Sequence, residues 1–440
     1  MPKKIPTCPT KPNPPQESVR RYAIELITPM FGGGVKPGVN DTTLPVRATA
    51  IRGHLQFWWR ATVGARYSTV SKLRENQSAI WGSTKSASQV HVQVEDLKFD
   101  APTPCATIKS DHKGKDRIIW DRVFRINQYP QDDSLPYALF PFQGKRAENN
   151  EPRINPANFI AKLRFQLVLR CPNDSWPSIE TALWAWTNFG GLGSRTRRGC
   201  GAILCKELAP QDDTHFAKQL NQYILHQMDG CEWPTIKERP LLRTTDPADE
   251  PFPVWDWLLG LYKYFRQGVE FARNFNQQTN QPGRSRYPEP ETIRRITGQR
   301  LPRHARLPQI PDDAFPRAEF GLPIVFQFKD SGDPSDTVLY PSKTPDGEKR
   351  ERMASPLILK PLILQDGKAL PIILQLNTVS LDGIELRRGD KSLPLPSSTT
   401  INAPRLAEYK NSPLAGSPSG SAIEAFLAFA RNEGFTEVTR

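Results

Sequence analysis

The first regular pattern in the chain is an alternation. In RRYAIELIT (residues 20–28), Tyr22, Ile24 and Leu26 fall on one side, which predicts a strand. A Gly/Pro loop, PMFGGGVKPGVN, follows, and the period then changes. From Thr49, Ile51, Leu55, Trp58 and Trp59 recur at i, i+4, i+7 and i+8, which predicts a helix with one apolar stripe. Arg52, Gln56 and Arg60 form a second, basic stripe on that helix. Trp58 and Trp59 continue the apolar stripe and are read as core. Gly53 costs about 1 kcal/mol relative to alanine in a helix and marks a close approach of backbone or ligand. Alternation returns at 88–99 and at 159–169, predicting two more strands with loop or hairpin between them. SIETALWAWTNF (178–189) has helical spacing, with Ser178 placed to cap it, and AILCKEL (202–208) reads as a strand.

Strand, helix, strand, strand, helix, strand is the order of a ferredoxin-like βαββαβ unit. The composition changes near Pro210, where a domain boundary is placed. Beyond it the pattern is less clear. Residues 253–275 read as one long helix through Val254, Leu258, Leu261, Phe265, Val269 and Ala272. Strands are expected at 319–328, 355–365 and 369–377, and a last helix in SAIEAFLAFARNEGF after a Pro/Ser/Gly-rich stretch at 392–420. No internal repeat is readable in the letters. The expected fold is α+β, divided into a disordered Pro-rich tail (1–17), a first domain (18–209) and a second (210–440).

Charge narrows the function. The chain carries 59 Lys+Arg against 46 Asp+Glu, a formal net charge of +13, which suits a polyanionic partner. No run approaches 18 apolar residues, so no membrane span is expected, and the N-terminus has no apolar run after its lysines to act as a signal peptide. The six cysteines, Cys8, Cys105, Cys171, Cys200, Cys205 and Cys231, form no C-x-x-C and have no histidine at zinc-finger spacing. They are read as reduced thiols in a cytoplasmic protein. The 43 prolines, about twice the ordinary frequency, imply many loops and interrupted strands.

The richest chemistry lies in FGGLGSRTRRGCG (189–201). Gly190, Gly191, Gly193, Gly199 and Gly201 surround Arg195, Arg197 and Arg198. It has no Gly-Lys-Ser/Thr, and it leaves a helix for a strand, the reverse of a dinucleotide fingerprint. Glycines let backbone N–H groups approach phosphate oxygens, and arginines add forked donors, so the loop reads as a cradle for a phosphate backbone. The alternative is a plain helix C-cap with solvated arginines. RGCGAILC (198–205) echoes an RNA-binding strand signature, but Cys200, Ala202 and Cys205 stand where stacking aromatics belong. Residues 283–306 hold seven arginines against two glutamates, and their role is open.

Taken together, RGHLQFWWRA (52–61) and FGGLGSRTRRGCG resemble the RAMP superfamily of CRISPR effector proteins. The pairing is similar to the branch formed by the first subunits of the Cmr module in type III-B systems. IWGSTKSASQVHVQV (80–94), FGLPIVF (320–326) and KRERMASPLIL (349–359) are similar to the same branch. The resemblance spans roughly residues 20–365. It implies two tandem ferredoxin-like, RRM-like domains with long Pro-rich insertions. It also implies a place at the end of a backbone of related subunits wound along CRISPR RNA, holding the far (3′) end of the guide and the paired target RNA. The partners it implies are CRISPR RNA, target RNA and the other RAMP subunits, with no cofactor. The residues at matching positions are Arg52, Trp58, Trp59 and Arg60 on the helix and Gly191, Gly193, Arg195, Arg197, Arg198 and Gly199 in the loop. Lys349, Arg350 and Arg352 precede the matching Ala354-Ser355-Pro356-Leu357. The expected RNA contacts are Arg52, His54 and Arg60, the six loop residues, and Lys349, Arg350 and Arg352.

The rival reading is an endoribonuclease acting on guide precursor or target. Metal-independent RNA cleavage needs a general base and acid, commonly histidine. His54 is the candidate on the basic helix, and Asp41 after the Gly/Pro loop is the candidate carboxylate. No carboxylate cluster suggests a bound metal. A free-standing basic RNA chaperone would explain the charge, but not five family-like stretches in one chain.

Overall fold

The computed structural model describes residues 16–439 apart from 36–37, 111, 113–115, 126–133, 147–153, 225–229, 237, 245–249, 279–280, 305–306, 308–309, 344–346 and 379–380. Nearly all of the expected N-terminal tail, and Cys8 with it, lies outside these residues. The first strand already begins at Glu17.

Residues up to about 210 form β1 (Glu17–Leu26), α1 (Ala48–Ala61), α2 (Val70–Trp81), β2 (His91–Phe99), β3 (Leu163–Pro172), α3 (Trp176–Phe189) and β4 (Ile203–Leu204). The sheet order is β2-β3-β1-β4, with every neighbour antiparallel. Register follows the alternation: Tyr22 lies opposite Leu167 and Ile24 opposite Phe165, so both strands turn the same face to the core. Trp58 and Trp59 are buried there with Ile51 and Leu55, as the helical stripe predicts. α3 begins two residues earlier than its spacing suggests. Ser178 is inside it and donates its hydroxyl to the Ser175 carbonyl rather than capping it.

The second half contributes α4 (Asp213–Tyr223), β5 (Leu241–Leu242), α5 (Pro251–Gln267), β6 (Arg273–Asn276), β7 (Gln281–Ser285), α6 (Glu289–Thr297), β8 (Leu357–Ile363), β9 (Ala369–Gln375), α7 (Ala422–Asn432) and β10 (Thr436–Glu437). Its main sheet has the order β8-β9-β5-β10, again antiparallel throughout. In both sheets the order is second, third, first, fourth of the strands that build it. The repeat absent from the letters is therefore present in the topology. The helix expected over 253–275 stops at Gln267: the chain turns at Gly268 and runs into the β6–β7 hairpin. The strand expected over 319–328 shortens to Ile324–Phe326, because 316–320 coil into a 3₁₀ turn. It heads a separate four-stranded sheet with Thr337–Pro341, Ile384–Arg388 and Lys391–Leu393.

The halves share a core. β8 is buried at every position, because its two faces meet different layers. Leu357 and Leu359 pack with α5 and α7, whereas Ile358 and Leu362 join the cluster of Trp184, Trp186 and Phe189 on α3. The five described cysteines form no disulfide. No helix among the described residues is long and apolar enough to cross a membrane.

Candidate nucleic-acid interface

Five stretches singled out in the sequence meet at the junction of the two halves. The first link joins α1 to α2. The Arg52 guanidinium donates to the Trp81 carbonyl at the C-terminal end of α2, where a cation also meets the helix dipole. Arg60, at 3.5 Å from the Gln77 Oε1, reaches the same helix. The α2 segment was not anticipated, so these arginines looked unoccupied in the sequence. They hold α2 against α1, and both remain half-exposed.

His54 lies on the other side of α1, stacked on Trp186 with ring centroids 6.1 Å apart and planes 10° apart. Burial pushes its imidazole below the usual histidine range, which favours the neutral form. Trp186 in turn donates its indole N–H to the Gly191 carbonyl at 3.1 Å, so α1 is tied through α3 to the glycine-rich loop. Asp41 is an Asx-type turn: one carboxylate oxygen accepts the N–H groups of Leu44 and Thr43, both at 2.9 Å. Those donors hold its carboxyl below the ordinary value.

The loop itself departs from the picture of a helix cap with solvated arginines. Its glycines are sites of close packing. Gly199 has φ +76°, and a Cβ there would lie 2.6 Å from the Trp255 ring of α5. Arg195, itself at φ 59°, donates to the Ala138 carbonyl at 2.7 Å. Arg197 donates to the Ser355 carbonyl and lies over the Phe57 ring of α1, 5.9 Å from its centroid. Arg198 donates to the Leu357 carbonyl at 2.8 Å, the Ser355 hydroxyl at 3.0 Å and the Tyr262 hydroxyl at 3.2 Å. Each arginine thus carries hydrogen bonds to a neighbouring element, and Arg197 and Arg198 cross to the second half.

The second half answers with Lys360 of β8. Its buried amine donates to the carbonyls of Gly190 at 2.9 Å and Thr187 at 3.3 Å, at the C-terminal end of α3. Burial pushes the amine down to about 7. The 349–355 segment is fixed beside it: Met353 and Leu322 exchange both backbone hydrogen bonds at 3.0 Å, joining KRERMAS to FGLPIVF. Lys349 and Arg352 are exposed, and Arg350 pairs with Asp382 at 3.5 Å. Phe57, Tyr262, Lys360 and Ser355 belong to this junction but were not among the expected contacts; for Lys360 the signal in the sequence is a charge inside an apolar run.

Described arginines of the Arg-rich stretch are ion-paired instead. Arg284 and Arg300 both pair with buried Glu291, Arg294 with Asp333, Arg295 with Asp313 and Arg303 with Asp330. His304, Asp330 and Asp333 have the composition of a metal site, but Arg303 and Arg294 already balance both carboxylates. The cluster needs no cation.

Residues 23–204 match the family model described as RAMP superfamily. The chain is 27% identical over 196 residues to CRISPR system Cmr subunit Cmr1-2 of Pyrococcus furiosus, covering 42% of this chain and 95% of that protein. It aligns with the crystal structure of Cmr1 from Pyrococcus furiosus in its apo form over 83% of this chain and 90% of the other, at 18% identity and a TM-score of 0.43. It also aligns with a chain of the type III-B Cmr-beta complex bound to cognate target RNA, over 82% of this chain and 95% of the other, at 12% identity and a TM-score of 0.43.

Proposed function

We propose that this chain, whose residues 23–204 belong to the RAMP superfamily, is a non-catalytic RNA-binding subunit of a type III-B CRISPR effector complex. One observation carries the reading: the five family-like stretches form a single chain of contacts. Arg52 meets Trp81, His54 meets Trp186, Arg197 meets Phe57, Arg197 and Arg198 meet Ser355, and Leu322 meets Met353. Around it lie half-exposed or exposed Arg52, Arg60, Arg195, Lys349 and Arg352, on a chain of net charge +13. Basic side chains left open to solvent suit a phosphate backbone and select no base.

In this reading residues 18–209 and 210–440 are tandem ferredoxin-like domains with Pro-rich insertions, a division supported by the shared strand order. The subunit acts in the cytoplasm at the end of a RAMP backbone and holds the 3′ end of the CRISPR RNA and the paired target RNA. Arg52, Arg60, Arg195, Lys349, Arg350 and Arg352 contact phosphates. Gly191, Gly193, Gly199, Arg197 and Arg198 hold the junction that presents them, with part of each arginine fork facing the strand. His54 supports α1 from within: a neutral imidazole stacked on Trp186 positions the helix rather than transferring protons.

The test is recovery of the tagged full chain from its host, followed by sequencing of the RNA it brings with it. One uniform class of RNAs sharing a 5′ repeat is expected, together with other RAMP subunits. The purified assembly, given target RNA and Mg²⁺, is then compared with His54→Ala and Asp41→Ala assemblies. Cleavage that depends on either residue would establish the endoribonuclease reading in place of this one. Recovery of mixed cellular RNA would sink both.

A further inference from the structure

Arg198 and Arg266 approach one phenol oxygen from two directions. Arg198 Nη2 and Arg266 Nη1 each lie 3.2 Å from the Tyr262 hydroxyl. Their guanidinium carbons stand 4.7 and 5.4 Å from the centre of the same ring. Tyr262 and Arg266 are one turn apart on α5, whereas Arg198 arrives from the glycine-rich loop. The two charges therefore converge because the halves dock.

Among the described residues no anion meets either guanidinium. Every polar partner of Arg198 there is a carbonyl or a hydroxyl, and the hydrogen-bond partner of Arg266 there is the Tyr262 hydroxyl. Arg266 Nε is buried and has no partner. The nearby Arg317 shows the ordinary solution, since it pairs with Glu289 at 3.0 Å. Buried charges are normally paired, and two like charges sharing one phenol oxygen is an unfavourable arrangement that an oxyanion would relieve. A phosphate group offers negative charge and several acceptor oxygens to forked donors. The hydroxyl of Ser355, 3.0 Å from Arg198, supplies a neutral donor beside them.

We infer that Arg198 and Arg266, with the Ser355 hydroxyl, form an oxyanion site between the two halves that takes a phosphate group of the bound strand. The identity of the phosphate's bearer rests on the RNA-binding reading; the oxyanion chemistry does not. The site differs from the exposed basic side chains in its partners: it grips one phosphate through buried donors and gives little dependence on salt.

The experiment uses the full chain and inorganic phosphate at constant ionic strength, set against chloride, and reads the thermal midpoint and calorimetric binding. A saturable upward shift is expected in the native protein and is lost in Arg266→Gln. Tyr262→Phe keeps both guanidiniums and removes their shared acceptor, so it should bind phosphate at least as tightly. If Arg266→Gln does not fold, this second variant decides. No saturable phosphate shift in either the native protein or Tyr262→Phe overturns the inference.

RNA arms separate the sources. A strand ending in a phosphate monoester that binds at least tenfold more tightly than its dephosphorylated form, a difference lost in Arg266→Gln, assigns a terminal phosphate. An Arg266→Gln loss of about tenfold for both strands assigns a backbone diester. Phosphate binding without any RNA binding would leave the oxyanion site standing and remove the RNA reading.

Discussion

The amine of Lys360 donates to the carbonyl of Gly190 at 2.9 Å, so a lysine of the second half closes the C-terminal end of a helix of the first. It also reaches the Thr187 carbonyl. Two acceptors that α3 leaves unsatisfied are thus met from another layer of the fold, in the place where a helix normally ends on its own turn.

This contact predicts a pH dependence. Burial holds the Lys360 amine at about 7 in the folded protein, below the ordinary lysine value of 10.5. Between those values the unfolded chain binds a proton that the folded chain does not, so stability rises with pH from about 7 to 10. Below 7 both states are protonated, the cost of burying the charged amine is complete, and the slope vanishes. The slope should approach about 1.4 kcal/mol per pH unit at most. Lys360→Met should remove it while costing about 1–3 kcal/mol through the orphaned carbonyls. Urea unfolding between pH 6 and 10 measures both, and equal slopes in the two proteins would refute the assignment.

Arg198→Ala should loosen the junction. It removes hydrogen bonds to the Leu357 carbonyl and the Ser355 and Tyr262 hydroxyls. A loss of about 2–4 kcal/mol is expected, with faster proteolysis around residue 210. Arg198→Lys should rescue little, because one ammonium cannot span a fork's partners. A stability unchanged by Arg198→Ala would show that these hydrogen bonds do not hold the halves together.

Gly199→Ala tests the close approach of the loop to α5. The substitution places a Cβ 2.6 Å from the Trp255 ring at a φ of +76°. Strain and overpacking together should cost about 2–4 kcal/mol. Trp255→Phe should return part of that cost, and a double-mutant cycle of chemical unfolding reads the coupling.

The exposed pair Lys349 and Arg352 should behave in the opposite way. Their replacement by alanine should leave the unfolding midpoint unchanged and flatten the salt dependence of RNA binding. Each phosphate contact on single-stranded nucleic acid contributes about 0.7 to the slope of log K against log salt, so a change of about 1.4 is expected. An unchanged slope with a folded protein would move the strand away from this pair.

Much of the first half was legible in the letters. Tyr22, Ile24 and Leu26 alternate because β1 has one buried face, and Ile51, Leu55, Trp58 and Trp59 recur because α1 has one buried stripe. The family-like stretches were legible too, because tight turns demand glycine and bulky contacts demand tryptophan at fixed spacings. α2 was missed because only Leu73 and Trp81 are buried on it, too few to set a period. The repeated strand order was missed because β4, β5 and β10 are two residues long and carry no pattern of their own. Side-chain partnership lies further still from the sequence. An arginine reads the same whether it faces solvent, a phosphate or a carbonyl 159 residues away, as Arg198 does with Leu357. Local spacing fixes which face of an element is apolar, since that depends on neighbours three or four residues off. Only the docking of two sheets decides which donors meet which acceptors, because those distances are set by packing across the junction.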